Sequence, residues 1–478
     1  MAVVVPFAAL RYDERKVGRL ERVLTQPYDK ITPQMQRAYF ARSRFNLAHV
    51  VKGEVRTQDT PENNVYTRAA ALFREWQQQG IFLERKTPAL YAYWQQFYPP
   101  PYAKATEGTP SETGSAGLWP AYGASGTLAL RAEESKPLVR KALIGLGRLE
   151  PYEAGVVFRH EETLSAPKAD RLELLRATRA QFEQIFMLYS DPDRRTERLL
   201  DEATARPPAA RVEDDYGVIH TLWEIADPET IRAVQQEMRD KKLVIADGHH
   251  RYETALNFAR ECRASRPHAA EGDCAYLPMT FVNMDAEGIV ILPTHRLVSG
   301  ISGFSREGFH AKAAPYFERG QYRFFDAETL HAAWRRLQAE MAAAAAGGRT
   351  AIGAFFDGAD SFDLLELRPE VDLERLWPEL LPAQRSLDVT ILHRIAFAQC
   401  LGIDPESIRQ EKVLAYVREF EEGVETVLQG QAQACFFLNP VTMGQVREIA
   451  LGGRLLPQKS TDFYPKLLSG LVIYPLES

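Results

Sequence analysis

The stretch Leu243-Val-Ile-Ala-Asp-Gly-His-His-Arg-Tyr-Glu-Thr-Ala-Leu256 carries most of the information about the fold and about a site. The β-branched run that ends at Ala246 predicts a short buried strand. From Tyr252 to Ala264, apolar residues at helical spacing predict a helix. The chain therefore passes from a strand through a glycine turn straight into a helix. We name residues 247–251 the Asp247 turn.

The Asp247 turn combines one glycine with four polar side chains. Gly248 allows a close approach of the backbone to a ligand, and the unpaired first amides of the helix attract phosphate. Arg251 can bind two phosphate oxygens, while the charge of His249 and His250 can change near neutral pH. Asp247 is placed to bind magnesium or to orient a histidine. The alternative is a simple helix cap beside surface histidines, but so dense a polar set favours phosphate binding.

The composition indicates a folded protein with a small acidic excess. The chain has 478 residues, of which 45% are hydrophobic, and its formal net charge is −6. The absence of a long basic run argues against binding along nucleic acid. The sequence has no signal-peptide pattern and no apolar stretch of membrane-spanning length. We expect a cytoplasmic protein without membrane contact.

Four cysteines are present, and none of them forms a C-x-x-C pair. They are Cys262, Cys274, Cys400 and Cys435. This usage suits a reducing compartment and carries no zinc signature, so we expect buried thiols.

Predicted strands and helices mix along the chain without a strict alternation, which indicates the α+β class. We expect an N-terminal α/β region at 1–150, with a flexible polar loop near 103–126, and a core region at 151–300. A C-terminal α/β region would cover 301–478. Apolar spacing predicts helices at 65–79 and at 169–186, and a third helix from about Ala327 that Gly347 ends.

The Asp247 turn resembles the central motif of the ParB-like/sulfiredoxin superfamily, in which related glycine turns bind nucleotide phosphates. Free serine kinases carry the same Asp-Gly-His-His-Arg. His249 stands where sulfiredoxin has its reactive cysteine, which argues against sulfiredoxin chemistry. The whole chain resembles the family catalogued as domain of unknown function 1015. The matching segments are 26–29, 160–163, 247–251, 294–296, 387–393 and 457–466. The resemblance implies a ParB/sulfiredoxin-like mixed-sheet core with large additional α/β regions.

A second polar segment, His160-Glu161-Glu162-Thr163, follows a predicted strand. Glu161 or Glu162 could act as a base towards a substrate hydroxyl or bind magnesium. We expect His160, Thr163 and Arg171 to bind substrate. The alternative is a solvated loop whose acids pair with Lys168 and Arg171.

The third segment lies near the end of the chain. Lys459-Ser460-Thr461 resembles an anion-binding loop that offers a cation and hydroxyl donors, and Lys466 adds another cation. No Gly-x-x-x-x-Gly-Lys-Ser/Thr pattern is present, so the segment is not a P-loop. We expect the C-terminal region to return these residues to the Asp247 turn. A proline-bounded surface turn is the alternative.

Asp29, in Gln26-Pro-Tyr-Asp29, is a further candidate for the base, although it also suits an ordinary turn. The pairs His295-Arg296 and Asp388 with His393 are weaker candidates, and a core histidine is the preferred interpretation of His393.

The resemblance implies a kinase that phosphorylates free L-serine, with Mg²⁺ and with ATP, ADP or pyrophosphate as the phosphoryl donor. The catalytic candidates are Glu161, Glu162, Asp29 and His249, and the phosphate would lie on residues 248–251, Lys459–Thr461 and Lys466. One alternative is a ParB-like nucleotide-binding switch. Another is a nuclease, although the lack of a basic surface argues against it. We expect no nucleic-acid partner. If the chain self-associates, we expect a homodimer.

Overall fold

The strand that leads into the Asp247 turn lies inside a large mixed sheet. The computed structural model describes residues 1–84, 87–99, 136–161, 165–265 and 272–476. Within these ranges nine strands form the sheet. In spatial order they are Val157–Phe158, Leu243–Asp247, Ile185–Tyr189, Tyr276–Asn283, Leu138–Arg148, Leu90–Phe97, Ile219–Ile225 and Ala210–Glu213, and Val4–Val5 adds to Leu138–Arg148. Leu243–Asp247 runs parallel to Val157–Phe158 and antiparallel to Ile185–Tyr189, which confirms a mixed sheet.

A second, six-stranded antiparallel sheet is built from the later part of the chain. Its strands, in spatial order, are Phe317–Arg323, Ser361–Leu367, Ala351–Phe356, Ala434–Phe437, His295–Val298 and Leu414–Val417. Three short pairs join Leu10–Tyr12 to Phe82–Glu84, Ala180–Gln181 to Tyr474–Pro475, and Val290–Leu292 to Asp462–Tyr464. The last two pairs tie the end of the chain to earlier segments.

Helices cover the sheets and connect their strands. The longer ones are Pro33–Arg42, Val65–Gln78, Ser165–Thr178, Arg195–Ala203, Pro228–Met238, His249–Ser265, Arg306–Ala313, Ala327–Ala346, Leu392–Leu401, Phe420–Leu428 and Met443–Leu451. Short helical segments are Glu14–Val17, Leu20–Arg22, Tyr28–Lys30, Ala48–Val51, Tyr152–Ala154, Asp273–Ala275, Leu373–Leu376, Pro382–Arg385, Asp388–Ile391 and Pro405–Arg409. The α+β class predicted from the sequence is confirmed.

The helix that starts at the Asp247 turn is held by a helical layer. His249–Ser265 packs against Ser165–Thr178, which in turn packs against Val65–Gln78. Buried side chains such as Phe258 and Phe73 join this layer to the core of the large sheet. The start of the helix is thereby fixed at the edge of the strand that precedes it.

Three of the four predicted helices are confirmed, including the one from Tyr252 to Ala264 within His249–Ser265, and the helix predicted at 169–186 is wrong in where it ends. Val65–Gln78 and Ala327–Ala346 form as predicted, and Gly347 caps the latter. The predicted helix at 169–186 ends at Thr178 instead. Arg179 takes a left-handed backbone with φ +51°, and the apolar run Ile185–Tyr189 forms a central strand. Its side chains are buried on both faces, which a strand in this sheet satisfies better than an amphipathic helix.

Other predictions concern the state of the cysteines, membrane-spanning segments and the division of the chain into three regions. Cys262 and Cys274 form a disulfide, so the expectation of free thiols was wrong for them, whereas Cys400 and Cys435 are free and buried. No helix among the described residues is long and apolar enough to cross a membrane. The predicted loop near 103–126 lies outside the described residues, as do Glu162 and Thr163. The large sheet takes strands from both 1–150 and 151–300.

Candidate functional site

The Asp247 turn has a backbone that suits glycine alone. Gly248 has φ +94°, a region that L side chains rarely adopt. A Cβ there would lie 2.9 Å from Ile185 Cδ1 and 3.0 Å from Arg251 Nη2. The next helix closes its first turn with a 2.9 Å hydrogen bond from Tyr252 N to Gly248 O. The amides of residues 249–251 lie in the first turn of the helix, a position at which backbone amides can bind an anion.

A lysine from the end of the chain reaches this turn. Lys466 Nζ lies 3.2 Å from Asp247 Oδ2 and 2.9 Å from Asp462 Oδ1. Burial opposes the charge of Asp247, but Lys466 and Arg251 outweigh it and hold the pKa of this carboxyl well below its usual range. Burial likewise opposes the charge of Lys466, yet the two carboxylates raise its pKa above the usual range. The pair is therefore fully charged at neutral pH.

A buried arginine holds the backbone that carries Lys466. Arg140 donates to Tyr464 O at 3.2 Å and to Pro465 O, and it also binds Gln95 Oε1. Gln95 Nε2 in turn donates to Lys466 O at 2.8 Å. Burial lowers the pKa of Arg140 to about 10, so the guanidinium stays charged at neutral pH. The position of Lys466 thus depends on two side chains of the large sheet.

Arg251 is anchored beside the turn rather than directed freely into solvent. Its Nη1 donates to Gln184 O at 2.7 Å, and its Nε lies 3.8 Å from Glu183 Oε2. Burial would lower the pKa of Arg251, but Glu183 and Asp247 raise it above its usual value. Glu183 also accepts from Tyr28 N at 2.8 Å. Glu183 therefore links Arg251 to the segment that contains Asp29.

His249 and His160 form a buried pair behind the turn. Their ring centroids are 4.8 Å apart, and His160 N donates to His249 Nε2 at 3.5 Å. Burial lowers the pKa of both rings, and their mutual repulsion lowers that of His249 further. Both are neutral at pH 7. His249 Nε2 is used as an acceptor, so this atom cannot donate to a phosphate.

Glu161 fills the anion-binding loop that the sequence predicts. Lys459 has φ +56°, and the two amides that follow converge on one carboxylate oxygen. Ser460 N and Thr461 N donate to Glu161 Oε1 at 3.1 and 3.0 Å. Ser460 Oγ donates to Pro457 O. The loop thus binds an anion that belongs to the protein itself, which leaves Glu161 poorly placed to act as a base.

The hydroxyl of Thr461 connects this loop to His160. Thr461 Oγ1 lies 2.7 Å from His160 Nε2 and 2.9 Å from Glu161 Oε1. His160 Nδ1 lies 2.6 Å from Ile245 O, an atom that can only accept, so Nδ1 carries the ring proton. The Thr461 hydroxyl thus donates to Glu161 Oε1 and lies within hydrogen-bond distance of His160 Nε2, so it bridges the two side chains. His160 therefore helps to hold the loop, and its role in substrate binding stays a prediction.

A second buried arginine supports the loop from the other side. Arg296 is 1% exposed, and its Nη2 donates to Lys459 O at 3.0 Å. The exposed side chain of Lys459 acts electrostatically on His250, whose pKa burial and Lys459 both lower. Lys459 and His250 therefore lie close enough for their charges to interact.

Two further predicted residues lie on the Tyr28 side. Asp29 is exposed, and its charge acts on both Arg251 and His250. Arg171 donates to Val51 O at 2.8 Å and stacks on the Tyr28 ring, with 4.0 Å from its guanidinium carbon to the ring centre. Asp29 is thus a solvent-facing carboxylate beside the turn, whereas Arg171 supports the Tyr28 segment.

The acidic residues near the turn do not form a closed metal site. Among the described residues no group of three or more His, Cys, Asp or Glu is placed to hold a metal ion. Asp247 Oδ1 accepts from Gly248 N and Oδ2 from Lys466. Magnesium usually keeps several waters and binds one or two carboxylates together with substrate phosphates. Asp247 fits as one such carboxylate.

Sequence reasoning missed Glu183 and Arg140. Glu183 and Gln184 are buried polar residues that directly precede the apolar strand Ile185–Tyr189. Arg140 lies near the start of the apolar strand Leu138–Arg148. Charged residues within or next to buried strands are rarely tolerated without partners, and that pattern could have identified both.

The fold and the site define an α+β protein with several cations around a helix N-terminus. The chain belongs to the family described as Protein of unknown function (DUF1015), which matches residues 4–108 and 127–390. The segment 457–466, which supplies Lys466, lies beyond the matched ranges. No curated protein matches the sequence.

Several solved structures show a distant likeness. A conserved hypothetical protein from Pyrococcus furiosus has 12% identity and a TM-score of 0.31, over 67% of this chain and 90% of that one. Free serine kinase in complex with AMP has 12% identity and a TM-score of 0.32, over 69% and 92%. C-terminally truncated SbnI from Staphylococcus aureus has 10% identity and a TM-score of 0.32, over 68% and 85%. Likeness at this level carries no argument about activity.

Proposed function

We propose that the protein is a phosphotransferase that phosphorylates the hydroxyl group of a small alcohol, with free L-serine as the acceptor. The observation that supports this most is the ion pair of Lys466 with Asp247, at 3.2 Å. It joins residues that are 219 positions apart in the sequence at one helix N-terminus. A charged cluster assembled from distant segments is typical of a site, because phosphoryl transfer needs positioning and charge neutralisation.

The phosphate groups of the donor would lie on the amides of residues 249–251. Lys459 and His250, whose charges interact, would bind the outer phosphate oxygens. Lys466 is shielded by two carboxylates, so it would balance charge at longer range. Magnesium, with Asp247 as one ligand, would supply further neutralisation of the phosphate charge.

Asp29 is the carboxylate that we assign as the base. It is exposed beside Arg251 and His250, whereas Glu161 binds the amides of Ser460 and Thr461. Asp29 would take the proton from the serine hydroxyl as that oxygen bonds to phosphorus. The bond between phosphorus and the bridging oxygen of the donor breaks, and the shortened donor leaves with the electron pair.

Phosphorus NMR tests the proposal directly. The protein is incubated with L-serine and Mg²⁺, separately with ATP, ADP and pyrophosphate. A phosphoserine signal with one donor supports the kinase and selects that donor. Inorganic phosphate without phosphoserine, or no product at all, contradicts it and favours a nucleotide-binding switch.

A pair of variants tests the base. Asp29→Asn should lower the rate of phosphoserine formation by about two decades or more, because it removes general base catalysis. Asp193→Asn changes another exposed aspartate, whose nearest cation is Arg195 at 3.2 Å, and should leave the rate unchanged. Equal rates for the two variants would exclude Asp29 as the base.

A further inference from the structure

A polar cavity lies in the later part of the chain, at the ends of three neighbouring strands of the six-stranded sheet. Its volume is about 180 Å³, and Thr294, Thr350 and Asn439 are among its lining residues. The strand registers explain this meeting, since Arg296 pairs with Phe436 and Gly353 with Phe437. Thr294 and Thr350 directly precede the strands His295–Val298 and Ala351–Phe356. They therefore lie beside Asn439, which follows the strand Ala434–Phe437 between them. The lining contains no residue of the Asp247 turn.

One wall of the cavity carries a buried cation. Arg296 lines it, and this guanidinium donates to the carbonyl oxygens of Thr294 and Lys459. Among the described residues no carboxylate lies within ion-pair distance of Arg296, and its Nε has no hydrogen-bond partner, while Glu161 acts on its charge from farther away and the Tyr416 ring lies 5.4 Å from the guanidinium carbon. Burial lowers the pKa of Arg296 to about 10, so it remains charged at neutral pH. A buried arginine without an acidic partner is costly unless a bound anion compensates it.

Another wall carries a carboxyl group. Asp388 begins the helical segment Asp388–Ile391, lines the cavity and accepts from Asn439 Nδ2 at 3.1 Å. No described cation lies within ion-pair distance of it. Burial raises the pKa of Asp388 to about 7, since the side-chain and backbone hydrogen bonds from Asn439 compensate its charge only in part. A bound cationic group would stabilise the ionised form.

We propose that this cavity binds a small α-amino acid, with the carboxylate of the ligand on Arg296 and its ammonium group on Asp388. The two walls offer one charge of each sign without an ion-pair partner, which is the charge pattern of a zwitterion. A simple anion would leave Asp388 without a cationic partner. The volume is below the ~300–1,000 Å³ of pockets for drug-sized ligands, so the amino acid is a small one.

Ligand binding in the cavity should affect the region around the Asp247 turn. Arg296 holds Lys459 O at 3.0 Å, and Ser460 lines the cavity while its amide binds Glu161. A carboxylate on Arg296 would therefore also order the loop that presents Lys459. This inference does not depend on the proposed kinase activity.

Calorimetric titration of the full chain tests the site. Glycine, L-alanine and L-serine are the probes, and acetate and methylamine carry the separate charges. We expect at least one amino acid to bind with a stoichiometry of about one, at least tenfold more tightly than acetate or methylamine. Glycine and alanine lack a hydroxyl, so their binding is separate from that of a phosphoryl acceptor.

Three variants locate the binding. Asp388→Asn should weaken it at least tenfold, and so should Ser386→Trp, which adds bulk at the exposed rim without changing the core. Asp357→Asn, at an exposed position outside the lining, should have no effect. The proposal is overturned by the absence of binding heat, by unchanged affinity in both cavity variants, or by equal affinity for acetate. Phosphoserine formation measured on Asp388→Asn separates this outcome from failure of the proposed kinase.

Discussion

The ion pair between Lys466 and Asp247 provides the sharpest test of the site. In Lys466→Met the hydrocarbon stem is kept and the charge is lost, so Asp247 loses its nearest cation. The side chains of Lys466, Asp247 and Asp462 are only 12%, 24% and 8% exposed. Removing one partner of a buried ion pair typically costs about 3–5 kcal/mol. Asp462 keeps Arg418 at 2.5 Å, so we expect the low end, about 3 kcal/mol.

The loss of unfolding free energy in Lys466→Met should depend on pH in a defined direction. The pKa of Asp247 is depressed in the folded protein, so its contribution to stability is present above the unfolded pKa of about 3.9 and is lost as pH falls. In Lys466→Met the carboxyl can take up a proton as pH falls, and the uncompensated charge disappears. The difference in unfolding free energy between the two proteins should therefore narrow from pH 7 to pH 4.

Urea unfolding followed by tryptophan fluorescence at the two pH values measures this difference. Lys141→Met is the matched control, because Lys141 pairs with Asp201 at 2.6 Å while both side chains are more exposed, at 30% and 43%. An exposed pair contributes about 0–1 kcal/mol. A loss at pH 7 no larger for Lys466→Met than for Lys141→Met would refute the assignment of a buried, structure-forming pair.

Three further predictions follow from the contacts around the site. Arg251→Ala should lower phosphoserine formation by about two decades, and an unchanged rate in a folded variant would exclude a role in phosphate binding. Gly248→Ala should cost about 1–2 kcal/mol from the left-handed backbone alone, beyond its contacts with Ile185 and Arg251; an unchanged thermal unfolding midpoint would contradict this. Glu161→Ala should cost about 1–3 kcal/mol and speed amide hydrogen exchange in the 459–461 loop, whereas unchanged exchange would show that the carboxylate does not hold it.

The Asp247 turn and the helix after it were predictable because their signals are local. A β-branched run, a glycine and a helical repeat are contiguous in the sequence, and the observed Leu243–Asp247 and His249–Ser265 follow them closely. The helix predicted at 169–186 failed for a related reason. Apolar spacing continues past Thr178, but burial on both faces of Ile185–Tyr189 depends on neighbouring strands that the local pattern does not show.

The roles of individual site residues were less predictable. The sequence indicated that Lys459-Ser460-Thr461 binds an anion, and the loop does so, but the anion is Glu161. Glu183 gave no motif signal, although it connects Arg251 to the Tyr28 segment. Which two groups form a hydrogen bond depends on their distance in the folded structure. Residue type alone determines only which groups are able to donate or accept.

By itself, the sequence determined the α+β class, the strand-turn-helix at Asp247 and the residue types able to bind phosphate. Apolar periodicity and backbone preference act over a few neighbouring residues, so they can be recognised in the sequence. Only the tertiary structure decided that Lys466 reaches Asp247, that Arg140 holds the Lys466 backbone and that Arg296 faces a cavity with Asp388. These contacts join residues far apart in the chain, and they form because the sheets close around a shared core that positions each partner.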